Sequence, residues 1–85
     1  VEVRGRWWNG SWGRMARRDI WLMIDGQRWR VRGRLGGDEG REVSYQFDEE
    51  GRARAMVDRM MKTSVGKWRD LTEAVRRESD RRHGQ

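Results

Sequence analysis

Gln27-Arg28-Trp29-Arg30-Val31-Arg32-Gly33-Arg34-Leu35 alternates in character residue by residue. In an extended chain successive side chains point to opposite faces. Trp29, Val31 and Leu35 therefore turn one way, and Arg28, Arg30, Arg32 and Arg34 turn the other. A helical period would scatter the same residues around a cylinder, so this stretch reads as a strand with one apolar and one cationic face. Asp25-Gly26 precedes it, a hairpin signal because both residue types tolerate positive φ. Before that pair lies a second strand pattern, Asp19–Ile24, in which Trp21 and Met23 share the Arg side. After it, Gly36-Gly37-Asp38-Glu39-Gly40 reads as a turn, followed by a third strand, Arg41–Phe47, with Val43, Tyr45 and Phe47 on one face and Glu42, Ser44 and Gln46 on the other.

The pattern then changes period. Over residues 48–62, Ala53, Met56, Val57, Met60 and Met61 recur at helical spacing, with Asp48 as the expected N-cap and Glu49 and Glu50 suited to the positive end of the helix dipole. Thr63 to Gly66 end this helix. Residues 67–71, with Trp68, form either a short fourth strand or a strap returning to the core, and residues 72–85 form a charged tail, helical at its start. The expected fold is α+β: a small three-stranded antiparallel meander, extended by the short fourth strand if it forms, packed on one helix. Residues 19–71 make the single β-β-β-α domain. Trp29, Val31, Leu35, Tyr45, Phe47, Met56, Val57, Met60 and Trp68 should be buried together.

Composition bounds the rest. Eighty-five residues allow one domain, and 34% hydrophobic against 40% charged residues leaves little core to spare. Frayed ends around a compact middle are expected. The absence of cysteine excludes disulfides and thiolate metal sites. No apolar run reaches the length of a membrane span or signal-peptide core, so a soluble chain in the cytoplasm, with no membrane partner, is expected. Residues 1–34 carry nine Arg and three acids, whereas in residues 35–85 the charges balance, so the whole net charge of +6 sits in the first two-fifths. Such asymmetry points to a polyanionic partner; the plain alternative is an Arg-rich codon bias whose excess is merely solvated.

Residues 1–18 show neither strand nor helix period and read as a flexible basic arm bearing Trp7, Trp8 and Trp12. Met15-Ala16-Arg17-Arg18 also looks like a natural start of translation, in which case the three Trp are translated leader. Otherwise the arm stacks on bases or lies along a phosphate backbone.

A single sheet against one helix buries one sheet face only. The other presents Arg28, Arg30, Arg32 and Arg34 at a spacing of roughly 6.6 Å, comparable to the phosphate step of an extended nucleic-acid strand. Arg binds phosphate bidentately and stacks on bases, and Trp21 beside the row supplies a stacking platform. Arg17 and Arg18 extend the candidate nucleic-acid contacts into the arm.

Residues 29–69 resemble the second half of a WGR domain. Gly33-Arg34-Leu35-Gly36 stands where that family has Gly-Arg-Val-Gly, and Gly40, Phe47, Ala53 and Gly66-Lys67-Trp68 fall at matching points. The name-giving Trp position holds Arg32, and the literal Trp12-Gly13-Arg14 lies in the unpatterned arm. WGR modules occur in poly(ADP-ribose) polymerases, where they contact DNA ends, and in small free-standing bacterial proteins. The resemblance implies Arg34 as a backbone contact. The chain is more loosely similar to the arm-binding domains of tyrosine recombinases, which place a three-stranded sheet before one helix and insert the sheet into the major groove.

Catalysis finds no constellation. The single His, His83, lies in the polar tail; no glycine run precedes a helix as a phosphate loop requires; metal ligands are lacking and no cofactor is implied. The expectation is a non-catalytic nucleic-acid-binding module, with DNA ahead of RNA. The alternative is a protein-interaction accessory of phage or plasmid type using the same Trp and Arg, which are also interface hot-spot residues.

Overall fold

The computed structural model describes residues 1–13, 16–36, 40–64 and 66–83, with side chains described as far as Arg77. The start signal at Met15, the centre of the turn at Gly37–Glu39 and the side chain of His83 lie outside the described residues. The elements in chain order are β1 (Glu2–Trp8), β2 (Arg18–Asp25), β3 (Arg28–Leu35), β4 (Arg41–Phe47), α1 (Glu50–Thr63), β5 (Arg69–Asp70) and α2 (Thr72–His83). The strands form one antiparallel sheet in the order β4-β3-β2-β1-β5. The fold is α+β, and the expected meander is its β2-β3-β4 portion.

The hairpin between β2 and β3 pairs Asp25 with Arg28 across Gly26-Gln27, and Gly26 takes the positive φ of 64°. Asp25 itself remains in the strand. The two ladders of β3 put Val31 opposite Leu22 on one side and Tyr45 on the other, so the apolar positions of three strands share a face. Ala53 and Val57 of α1 bury against that face together with Ile20, Leu22 and Val31. Trp29, Phe47, Met56, Met60, Met61 and Trp68 pack around this centre, half-buried, and the Trp68 indole donates to the Met61 carbonyl at 3.1 Å.

Three expectations need correction. Residues 1–18 are not an arm without regular structure: β1 occupies an interior position of the sheet, between β2 and β5, and Trp7 packs on the core. Its period was hidden by an irregularity between Val3 and Gly5 that resets the alternation. The Trp7 indole then folds over Gly5, where a Cβ would meet its ring atoms at 2.1–3.0 Å. Leu35 and Tyr45 are 38% and 41% exposed rather than buried. Leu35 ends its strand and Tyr45 lies on the edge strand, so neither is enclosed by neighbours on both sides. Asp48 does not cap α1: the N-cap is Glu49, in extended conformation and without a side-chain cap bond. The first helical bond runs from Ala53 N–H to the Glu49 carbonyl at 3.3 Å. The short fourth strand expected within residues 67–71 forms as β5, which pairs with β1 through Trp7–Asp70 and Trp8–Arg69. α2 follows directly, its first residue accepting a hydrogen bond from Arg6 N–H at Thr72 Oγ1 at 3.1 Å.

The loop after β1 is built around Asn9, which is buried. Its side-chain amide donates to the Ala16 carbonyl at 2.6 Å, and its Oδ1 accepts from the backbone N–H groups of Ser11 at 3.3 Å and Arg18 at 3.0 Å. Gly66, at φ 124°, crosses so close that a Cβ there would sit 2.5 Å from the Asn9 carbonyl oxygen. No described helix is long and apolar enough to cross a membrane.

Candidate nucleic-acid interface

The sheet face opposite α1 carries the Arg row, as alternation along β3 requires. Cross-strand register sets its neighbours: Glu42–Arg34–Asp19–Trp8 in one row, Ser44–Arg32–Trp21–Arg6 in the next, and Gln46–Arg30–Met23–Val3 in a third. Met23, expected to face outward, does so by register, yet it is only 9% exposed.

Trp21 lies at the centre of this face and is ringed by arginine. The guanidinium carbons of Arg6, Arg34 and Arg32 lie 4.3, 5.0 and 5.1 Å from its ring centroid. A guanidinium stacked on indole gains a cation–π attraction and loses side-chain freedom before any ligand arrives. Trp21 is half-buried under these cations, which makes it an organiser of guanidinium groups more than an open platform.

Arg6 is held from behind. Its Nη2 donates to Asp19 Oδ1 at 2.5 Å and its Nη1 to the Trp7 carbonyl at 2.5 Å. Arg17 completes the site with Nε to Asp19 Oδ2 at 3.0 Å. The Asp19 side chain is fully enclosed, with 0% exposure. Burial alone would push its carboxyl up, but the hydrogen bonds from Arg17 and Arg6, and their charges, outweigh that and hold it below the ordinary range, so it stays ionised. On the far side of the row, Arg32 Nη2 meets Glu42 Oε1 at 2.5 Å, and this hydrogen bond lowers the exposed Glu42 carboxyl as well. Arg28 and Arg30 are exposed and make no ion pair among the described residues. Both border a recess of about 160 Å³ at the hairpin end, shared with Asp25, Trp29 and Gln46.

The structure thus brings Arg28, Arg30, Arg32, Arg34 and Trp21 together and separates the other two candidates from them. Arg17 is tied to Asp19 and lies over the Trp8 and Trp12 rings at 5.6 and 5.3 Å. Arg18 falls by alternation on the α1 face, paired with Leu35, its Nη1 on the Arg17 carbonyl at 3.0 Å. Sequence reasoning gave Arg6 no partner on the sheet, and only the unrecognised β1 puts it there. It also left Trp8 and Trp12 in a mobile arm. They meet edge to face at 4.6 Å, Trp8 donating to the Ser11 carbonyl at 3.0 Å, while Trp12 stands 76% exposed on the Asn9-built loop. Among the described residues no three His, Cys, Asp or Glu side chains gather to hold a metal ion. Family models, curated proteins and solved structures were each compared with the chain, and none matches it.

Proposed function

We propose that the chain is a small non-catalytic module that binds nucleic acid, DNA in the first instance, through the β3 arginine face. One observation carries this reading: four arginines share the sheet face turned away from α1, and Trp21 pre-orders two of them. Guanidinium groups fixed in place lose less entropy on meeting phosphate than mobile ones, and their planar fork suits phosphate oxygens. Arg28 and Arg30 are the open contacts at one end. Arg32 is engaged by Glu42 at the surface and exchanges that carboxylate for a phosphate on binding. Arg34, which the WGR resemblance nominates, is carried as a backbone contact in the same reading. Gly33 beside it faces α1, where a Cβ would lie 2.5 Å from Met60 Cε, so the bare backbone lets the helix sit close behind the contact strand.

The test is binding of duplex and single-stranded DNA and of RNA over a salt series. Affinity for a duplex should fall log-linearly with salt, by about 0.9 in slope for each phosphate neutralised. The fourfold Arg→Ala protein at Arg28, Arg30, Arg32 and Arg34, checked for folding, should lose this dependence. Undiminished binding by that protein would reject the β3 face as the contact. The exposure of Trp12 favours a second reading, a protein-interaction module anchored by that indole. Its binding would respond weakly to salt and strongly to Trp12→Ala.

A further inference from the structure

The two edges of the sheet are unlike. β5 is two residues long, both charged, and is followed at once by α2. β4 runs for seven residues at the other edge, and among the described residues no strand pairs with its outer side. Proteins usually guard such an edge with Lys, Pro, a bulge or a covering element. Here Val43-Ser44-Tyr45-Gln46-Phe47 carries no charge, its ladder with β3 runs without a bulge, and Val, Tyr and Phe favour strands.

We propose that β4 pairs antiparallel with β4 of a second copy of this chain, about a two-fold axis through Ser44, joining two sheets into one of ten strands. The strand is self-complementary in this register. Ser44 meets Ser44, Glu42 meets the neutral Gln46, Val43 meets Tyr45, and Arg41 meets Phe47, next to Asp48. Like charges are nowhere opposed, and the exposed Tyr45 gains an apolar neighbour on the α1 face. Moving the axis to Tyr45 sets Glu42 against Asp48, and moving it to Val43 shortens the overlap by running into the turn before Arg41. Because residues opposed across an antiparallel ladder share a face, both α1 helices lie on one side and both arginine faces on the other. The two β3 rows would then run about 14 Å apart, three strand spacings. The pairing stands whether or not the arginine face binds nucleic acid.

The chain has no cysteine, so single thiols report the register directly. In Ser44→Cys the two Cα atoms would face each other at about 4.5–5.5 Å, within disulfide range. In Gln46→Cys they would lie some four residues apart along the strand, about 14 Å, and out of reach. Mild oxidation should therefore cross-link Ser44→Cys much faster than Gln46→Cys, and the wild-type chain should show a mass that rises with concentration in sedimentation. Ser44 is exposed, so Ser44→Lys and Ser44→Glu should each keep the far-ultraviolet spectrum while remaining monomeric, and mixing the two should restore the dimer. A wild-type chain that stays monomeric over the accessible concentration range, equal cross-linking of the two thiol variants, or a Ser44→Lys dimer as stable as wild type would each overturn the proposal.

Discussion

Asp19 is the residue on which the open face most depends. Its enclosed carboxylate fixes Arg6 against Trp21 and Arg17 against the Trp8–Trp12 pair. Removing one partner of a buried ion pair leaves the others uncompensated, so Asp19→Asn should destabilise by about 3–5 kcal/mol in chemical denaturation. The pH dependence has a definite sign. The folded carboxyl titrates below its ordinary value of 3.8, so in acid the unfolded chain takes up a proton first. The Asp19 contribution is fully present above about pH 5, begins to fall as the pH drops toward the unfolded value, and is lost once the pH passes below the folded one. Unfolding free energies measured from pH 6 to pH 2 should decline steeply in wild type and less steeply in Asp19→Asn; parallel curves would show that Asp19 does not titrate as argued.

At the scale of the element, the sheet centre and the helix entry behave differently. Leu22 is fully buried against Val31 and α1, and Leu22→Ala should cost about 2–5 kcal/mol. Asp48 makes no cap bond, so Asp48→Ala should change stability by no more than about 0.5 kcal/mol; thermal melts of both variants decide the matter. The same contrast explains what was legible in the sequence. β3 and its two ladders were readable because alternation there is unbroken, and α1 because its apolar residues recur at 3.6. β1 was not, because Gly5 and the irregularity beside it break period 2 and because the adjacent Trp7 and Trp8, both apolar, fall on opposite faces, opposite Ile20 and Asp19. The missed strand also concealed the site: Arg6, Trp8 and Asp19 converge only when residues 2–8 lie beside β2. Asn9 gave no signal of this role either, since beside the local bond from Ser11 its hydrogen bonds run to backbone groups seven and nine residues away.

The whole molecule is 21 Å through its thinnest axis, the depth of one sheet and one helix, and the acids on the sheet face turned away from α1 tune its charge. Glu42→Gln removes the carboxylate that engages Arg32. If that face binds DNA, the variant should bind more tightly than wild type at every salt concentration, whereas Arg30→Ala should bind more weakly with a shallower slope; fluorescence anisotropy with a short duplex measures both. β5 has a different consequence at this scale. By pairing with Trp7 and Trp8, with α2 packed alongside β1, it shortens the free outer side of β1, and self-pairing through β4 alone, as proposed above, closes at a pair. Ending the chain after Trp68 would bare β1 as a second edge while keeping that indole on the core. Head-to-tail addition would then have no stopping point, and the truncated protein should form fibrils that bind thioflavin under conditions where the intact chain gives none. If β4 self-pairs as proposed, the dipeptide Arg69-Asp70 acts as a chain terminator, separating a bounded assembly from an endless one.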